Sequence, residues 1–221
     1  MTNGWWVHQM WEQGGMLLVF AWVFWVICSI VLHELAHGWV ALWQGDDTPR
    51  RLGRMTINPL VHMGGTSLIV FALVGIAWGV MPTNPSNYRW GRRGHIAVAA
   101  AGPAMNIALA VAAMIGAGLV VRHGDPTSQT SANLELFLTI GGMLNVMLAC
   151  FNLLPAPPLD GAMILAGFSD RVWRWVHMPN APFIGLAIMM LFFSTDIDQL
   201  LYRWPMTWAA ELKAAVAGVT M

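Results

Sequence analysis

Residues 16–43 read MLLVFAWVFWVICSIVLHELAHGWVALW, an apolar run interrupted in its second half by His33, Glu34 and His37. On an α-helix, residues four apart share a face, so His33 and His37 of the His-Glu-x-x-His run can reach one zinc ion. Glu34 lies one residue round from them, where it can take a proton from an attacking water. In a soluble chain this would suggest an ordinary zinc peptidase. Here the flanks are apolar nearly throughout, and ionisable groups at membrane depth are costly and read as functional by default. The run therefore predicts a membrane helix that carries a metal site.

Composition agrees. Of 221 residues, 57% are hydrophobic and only 10% charged, against roughly 25% charged in a soluble domain. The formal net charge is zero, which does not suggest nucleic acid as a partner. Cys28 and Cys150 both fall in apolar runs without Cys-x-x-Cys spacing, and read as packing residues rather than a disulfide or metal pair. Residues 1–13 carry no Lys or Arg, so no basic leader is expected there. Trp5, Trp6, Trp11, Trp39 and Trp43 lie near segment ends, as an aromatic belt at the lipid–water boundary would.

Apolar runs near the length of a bilayer crossing occupy 15–43, 95–121, 134–154 and 182–201, with a shorter one at 66–80. The expected fold is an all-α polytopic membrane protein, a single domain over 1–221, with about four full transmembrane helices plus a re-entrant or short fifth segment. If 66–80 dips in and returns, Arg50, Arg51, Arg54, Arg89, Arg92, Arg93, Arg171 and Arg174 share one side, leaving Arg122, Arg203 and Lys213 opposite. That asymmetry marks the arginine-rich side as cytoplasmic. The polar motifs then gather nearer that face of a multi-pass protein of the cell (plasma or inner) membrane.

Catalytic zinc usually takes three protein ligands and leaves a position for water. The third candidate is Asp160, in Asn152-Leu153-Leu154-Pro155-Ala156-Pro157-Pro158-Leu159-Asp160-Gly161. Prolines interrupt helical hydrogen bonding at the end of the 134–154 run and stiffen the approach to the acid. The alternative reading is that Asp160 caps a following helix. A third motif, Ala101-Gly102-Pro103-Ala104-Met105-Asn106, lies in an alanine-rich helix, where small residues permit close packing. Asn106 can donate to a substrate carbonyl or oxyanion, or simply bond a neighbouring helix.

These three motifs, in this order, resemble the site-2 protease family of intramembrane zinc metalloproteases. The resemblance runs through Gly45-Asp46, Gly53-Arg54, Asn58-Pro59, His62 and 78–93, covering roughly residues 30–165. It implies one zinc ion per chain held by His33, His37 and Asp160, with Glu34 as general acid/base and substrate-contacting or transition-state roles for Asn106 and Asn152. Many relatives carry an acid shortly after the position of His62, whereas Met63, Gly64 and Gly65 follow here. No PDZ-like or CBS-like region is recognisable, so a compact, core-only member is expected. Its partners would be the lipid bilayer and a transmembrane protein substrate, cut in or near a membrane segment and not nucleic acid.

Two other functions fit the composition: a divalent-metal transporter, and a protease-like scaffold that binds membrane helices without cutting. His62 and His95 lack a partner at helical spacing and read as loop or interfacial residues. His8, His123 and His177 read as solvated, and Asp46 and Asp47 as turn residues. Sixteen methionines suit a flexible apolar interior. Segments 169–176 and 204–219 are expected to lie along the membrane interface.

Overall fold

The computed structural model describes residues 5–193 and 197–219. Positions 1–4 of the amino-terminal stretch and 194–196 of the expected 182–201 segment lie outside that range. The described residues form helices and connections, with no strand among them. In chain order the helices are α1 (Trp6–Trp43), α2 (Thr48–Arg51), α3 (Pro59–Val74), α4 (Gly91–His123), α5 (Gln129–Asn152), α6 (Asp160–Phe168), α7 (Asp170–Val176), α8 (Ala181–Phe193) and α9 (Ile197–Ala217). A single 3-10 turn, Pro85–Asn87, precedes α4.

Three helices, α1, α4 and α5, are long and apolar enough to cross a membrane. Phe20, Phe24, Ile107, Ile115 and Leu119 on them stay exposed, as side chains solvated by lipid would. Helix α1 changes direction at Gly15, whose φ of 66° lies outside the helical region. Helices α4 and α5 pack extensively on each other, and α1 lies across both. Small residues set how close they come. A Cβ on Gly141 would strike the Trp25 ring and one on Gly142 would strike Met114, so each large side chain fills the space its glycine leaves. Trp25 also donates its indole N–H to the Phe137 carbonyl at 2.9 Å, removing a polar group from an apolar core.

Helix α3 begins where Asn58 accepts from the Leu60 N–H at 3.0 Å and Pro59 takes the first helical position, a strong start signal. It ends at Gly75 in the left-handed conformation (φ 81°), and the chain turns back. Residues 76–84 run extended along α3 in the opposite direction. Ser67 and Trp78 bond reciprocally, at 2.7 and 2.9 Å, and Val80 N–H donates to the His62 carbonyl at 3.0 Å. At the turn, Trp5 and Trp6 donate to the Ala72 carbonyl, satisfying an acceptor that the helix end leaves open.

The hairpin returns to the end of α1 from which it left. Asp46 is fully buried and accepts from Thr48 (amide and hydroxyl), the Asn84 amide and the Asn87 side chain. Gln44 accepts the Arg89 amide at its carbonyl and the Trp90 amide at its side chain. Burial alone would raise the Asp46 pKa, but these donors hold its carboxyl below the usual range. A residue that reads as a simple turn acid thus ties three segments together.

The described residues of the 182–201 run lie in α8, up to Phe193, and in α9, from Ile197. One carboxy-terminal expectation changes: the 204–219 segment does not form a separate interfacial helix, because α9 packs along α4 and α5. Ala209 is buried among Ala110, Met114 and Val146, and α9 comes so close to Gly118 that a Cβ there would meet the Lys213 carbonyl. Lys213 bonds Glu135 at 2.7 Å and the Thr139 hydroxyl at 3.3 Å. Alanines permit the close approach, and the ion pair lets a partly charged helix join the bundle.

Candidate metal centre

Helical spacing places His33 and His37 on the face of α1 that meets α4, and both are buried. Each imidazole is fixed through its Nδ1. That atom of His37 lies 2.7 Å from the Val98 carbonyl, and that of His33 lies 2.6 Å from Oδ1 of Asn106. With Nδ1–H donating to these oxygens, both Nε2 atoms keep free lone pairs, as metal-ligating histidines require.

Asp160 completes the group across more than 120 positions of sequence. It is the first residue of α6, whose N-cap is Leu159, so its carboxylate does not serve as the cap. It points instead at the histidines, 3.1 Å from Nε2 of His33 and 3.4 Å from Nε2 of His37. The two Nε2 atoms are 3.0 Å apart. Three ligands at zinc–nitrogen and zinc–oxygen distances in a tetrahedral arrangement would be about 3.3 Å from one another. Oδ2 of Asp160 is buried without a hydrogen-bond donor.

Gly102 supplies an independent measure of fit. A Cβ on it would lie 2.4 Å from the Nε2 atoms of both histidines, so α4 leaves open the space between the lone pairs. Three electron-pair donors facing one another this closely repel unless a cation lies among them. Among the described residues they are the only group of three or more His, Cys, Asp and Glu side chains arranged to hold a metal ion. The geometry fits one divalent ion of the zinc type.

A cavity of about 660 Å³ opens beside the group, lined by Glu34, Asn152 and the extended segment 77–81, among others. Gly79 lies directly against Glu34: a Cβ there would come within 2.7 Å of the carboxylate oxygen Oε1. Trp78 and Val80 donate their amides to Ser67 and His62 of α3, whereas Ala77, Gly79 and Met81 make no backbone hydrogen bond among the described residues. Asn152 donates to the Leu148 carbonyl at 2.9 Å from the last turn of α5.

Asn106 is fully buried, and both ends of its amide are engaged. Its oxygen meets His33, while its Nδ2 donates to Oδ1 of Asn145 at 2.9 Å. Asn145 in turn donates to the Gly141 carbonyl at 2.8 Å. One of the two N–H groups of Asn106 is thus committed to Asn145, while the residue still lines the cavity. Asn145 escaped the sequence reading, although an asparagine within an apolar helix is itself a signal that a buried polar partner exists. Gly102 was legible only as a small residue of the 101–106 motif, and Gly79 carried no signal of its own.

Of the other histidines, His62 and His95 are more buried than a loop or interfacial reading expects, whereas His177 is exposed as expected. His62 is buried in the first turn of α3, 2.5 Å from the Thr56 carbonyl, and His95 is buried in α4. His177 packs its ring on Trp173. Cys28 and Cys150 are free thiols, partly buried.

A model of peptidase family M50 matches residues 117–194, a range that holds Asn152 and Asp160 but not the His33–His37 run. YwhC of Bacillus subtilis, by its name a candidate zinc metalloprotease, is 33% identical over 183 residues, 82% of this chain and 83% of its own length. Rip2 of Mycolicibacterium smegmatis, named in the same way, is 32% identical over 140 residues, 61% of this chain and 52% of its own. The zinc metalloprotease MJ0392 of Methanocaldococcus jannaschii is 26% identical over 211 residues, 89% of this chain and 52% of its own. No solved structure matches this chain.

Proposed function

This chain belongs to peptidase family M50, the site-2 proteases, and from that premise we propose that it is an intramembrane zinc endopeptidase. It hydrolyses a peptide bond in or near a transmembrane segment of another membrane protein. The observation that carries this reading is the convergence of His33, His37 and Asp160, with 3.0–3.4 Å between their ligand atoms, beside Glu34 in one cavity.

His33, His37 and Asp160 would hold one zinc ion, which when bound polarises water and the scissile carbonyl at neutral pH. Glu34 accepts the proton of the attacking water and returns it to the leaving amine. Asn106 is assigned a positioning role: it holds the His33 ring by its Nδ1, and Asn145 holds Asn106. Asn152 lines the cavity and is kept as a substrate-contacting residue. The edge formed by Ala77, Gly79 and Met81 suits an extended peptide, which could add its backbone to that edge beside Glu34. A transmembrane substrate must therefore unwind locally, and an unpaired backbone group in lipid costs several kcal/mol. Substrates with helix-weakening residues near the cut are favoured.

The chain is read as one multi-pass domain of the cell membrane with 66–80 re-entrant and the arginine-rich side cytoplasmic. Two contacts support that topology. Asp46 joins the α1 end to Asn84 and Asn87, and Arg92 pairs with Asp170, so the arginine-bearing loops meet at one end of the bundle.

Metal content of the detergent-solubilised protein tests the proposal. About one zinc per wild-type chain, lost in both His37→Ala and Asp160→Ala, is expected. Full zinc in Asp160→Ala would remove the third ligand, and no zinc in wild type after reloading would remove the enzyme.

A further inference from the structure

His95 and Tyr88 are among the buried polar side chains that line the same cavity without belonging to the metal group. His95 lies on α4, and its Nε2 is buried with no hydrogen-bond partner among the described residues. The Met163 carbonyl of α6 is its other polar neighbour; the tautomer protonated at Nδ1 leaves Nε2 as an acceptor. The Tyr88 hydroxyl is likewise buried without a well-formed hydrogen bond, the Thr83 side chain being its polar neighbour. Both residues are less than a tenth exposed and both line the cavity.

Their positions are fixed. Gly94 lets Tyr88 press onto α4, since a Cβ there would come 3.0 Å from that of Tyr88. The Tyr88 and His95 rings lie 6.5 Å apart, and Trp173 closes on His95 from the other side at 4.9 Å. A buried acceptor and a buried hydroxyl, held rigidly and facing a cavity, are costly unless something in the cavity bonds them.

We propose that Tyr88 and His95 form a polar subsite that accepts a hydrogen-bonding residue of the substrate, about three residues from the scissile bond on the Arg89–Arg93 side. This rests on the protease reading. The register follows from α4. His95 lies seven residues, about 10 Å, before Gly102, and Gly102 faces the metal-ligand atoms. An extended peptide covers that length in about three residues. An asparagine, glutamine, serine or threonine there offers a donor to Nε2 of His95 and an acceptor to the Tyr88 hydroxyl. A leucine leaves both unpaired, and sites built to hydrogen-bond discriminate strongly against analogues that cannot.

Peptidyl hydroxamates, which chelate zinc, provide the test. Two series extend from either side of the chelating group and differ only by Asn, Ser or Leu at the third residue. They are titrated against zinc-loaded protein in detergent. Wild type is expected to bind the Asn compound of one series about tenfold more tightly than its Leu counterpart. That preference should vanish in His95→Leu, shrink in Tyr88→Phe and survive in His95→Gln, which keeps an acceptor. Equal binding of Asn and Leu by wild type would mean that water serves these groups, and would overturn the subsite while leaving zinc-anchored binding intact. A preference unchanged in His95→Leu would do the same. Zinc content shows whether each variant has folded. Where His95→Leu does not hold zinc, Tyr88→Phe decides by the same criterion. Failure of every compound to bind in a zinc-dependent way would remove the protease reading, and the subsite with it.

Discussion

Gly102 stands against His33 with no side chain between them: a Cβ on residue 102 would lie 2.4 Å from Nε2 of His33. It would be equally close to Nε2 of His37, in the space where the three ligand atoms converge. Gly102→Ala is therefore expected to lose most of its zinc while the helices still assemble, because the added methyl competes with the ion rather than with the core. Metal analysis beside circular dichroism checks this. Full zinc retention would show that the ligands converge elsewhere.

Asn106 holds His33 through a single acceptor atom. Replacing the partner that orients a metal-bound histidine typically costs 10–100-fold in metal affinity. Asn106→Ala should weaken zinc binding by about that factor, measured by competition with a chelator of known affinity. Asn106→Asp keeps the acceptor and should lose less. Equal losses in both would indicate a packing effect.

Glu34 lies one residue from the first histidine and against Gly79, outside the converging ligand set. Glu34→Gln should bind zinc at wild-type stoichiometry and cut a transmembrane substrate at least about 100-fold more slowly, the usual loss on removing a general acid/base. A variant that cleaves at the wild-type rate would take Glu34 out of the reaction.

Asp46 predicts a pH dependence. Its folded pKa is depressed, so its contribution to stability is fully present above the unfolded aspartate value of about 3.9 and is lost as pH falls through the lower folded value. Asp46→Asn puts an amide N–H where the Asn84 or Asn87 donor now bonds, and should cost about 1–3 kcal/mol at neutral pH. The gap between wild type and variant should close on acidification, as read from melting midpoints in detergent from neutral to acidic pH. A gap independent of pH would assign the loss to packing alone.

Much of this protein is local and therefore legible in one dimension. A 3.6-residue repeat puts residues 33 and 37 on one face whatever surrounds them, and an apolar run of bilayer length predicts a crossing helix by composition alone. Asn58-Pro59 announces the start of α3 for the same reason. The reversal at Gly75 was only partly legible: the arginine distribution suggested that 66–80 dips in and returns, but not which backbone groups the returning segment would leave free.

Through-space relationships were decided by the tertiary structure. Helical periodicity says nothing about which side chain 120 positions away will face a given pair, so Asp160 stood in sequence as either cap or ligand. Packing of α6 against α4 turns its carboxylate to the histidines. Asn106 read either as a substrate donor or as a tie to a neighbouring helix, and the approach of α1 and α5 bonds its oxygen to His33 and one N–H to Asn145. The 204–219 segment read as an interfacial helix, whereas its alanines pack on α4 and α5 and Glu135 supplies a partner for Lys213. Residue spacing determined which groups each helix presents. Close packing at glycines and alanines, which brings backbones together and pairs buried polar atoms, determined what those groups meet.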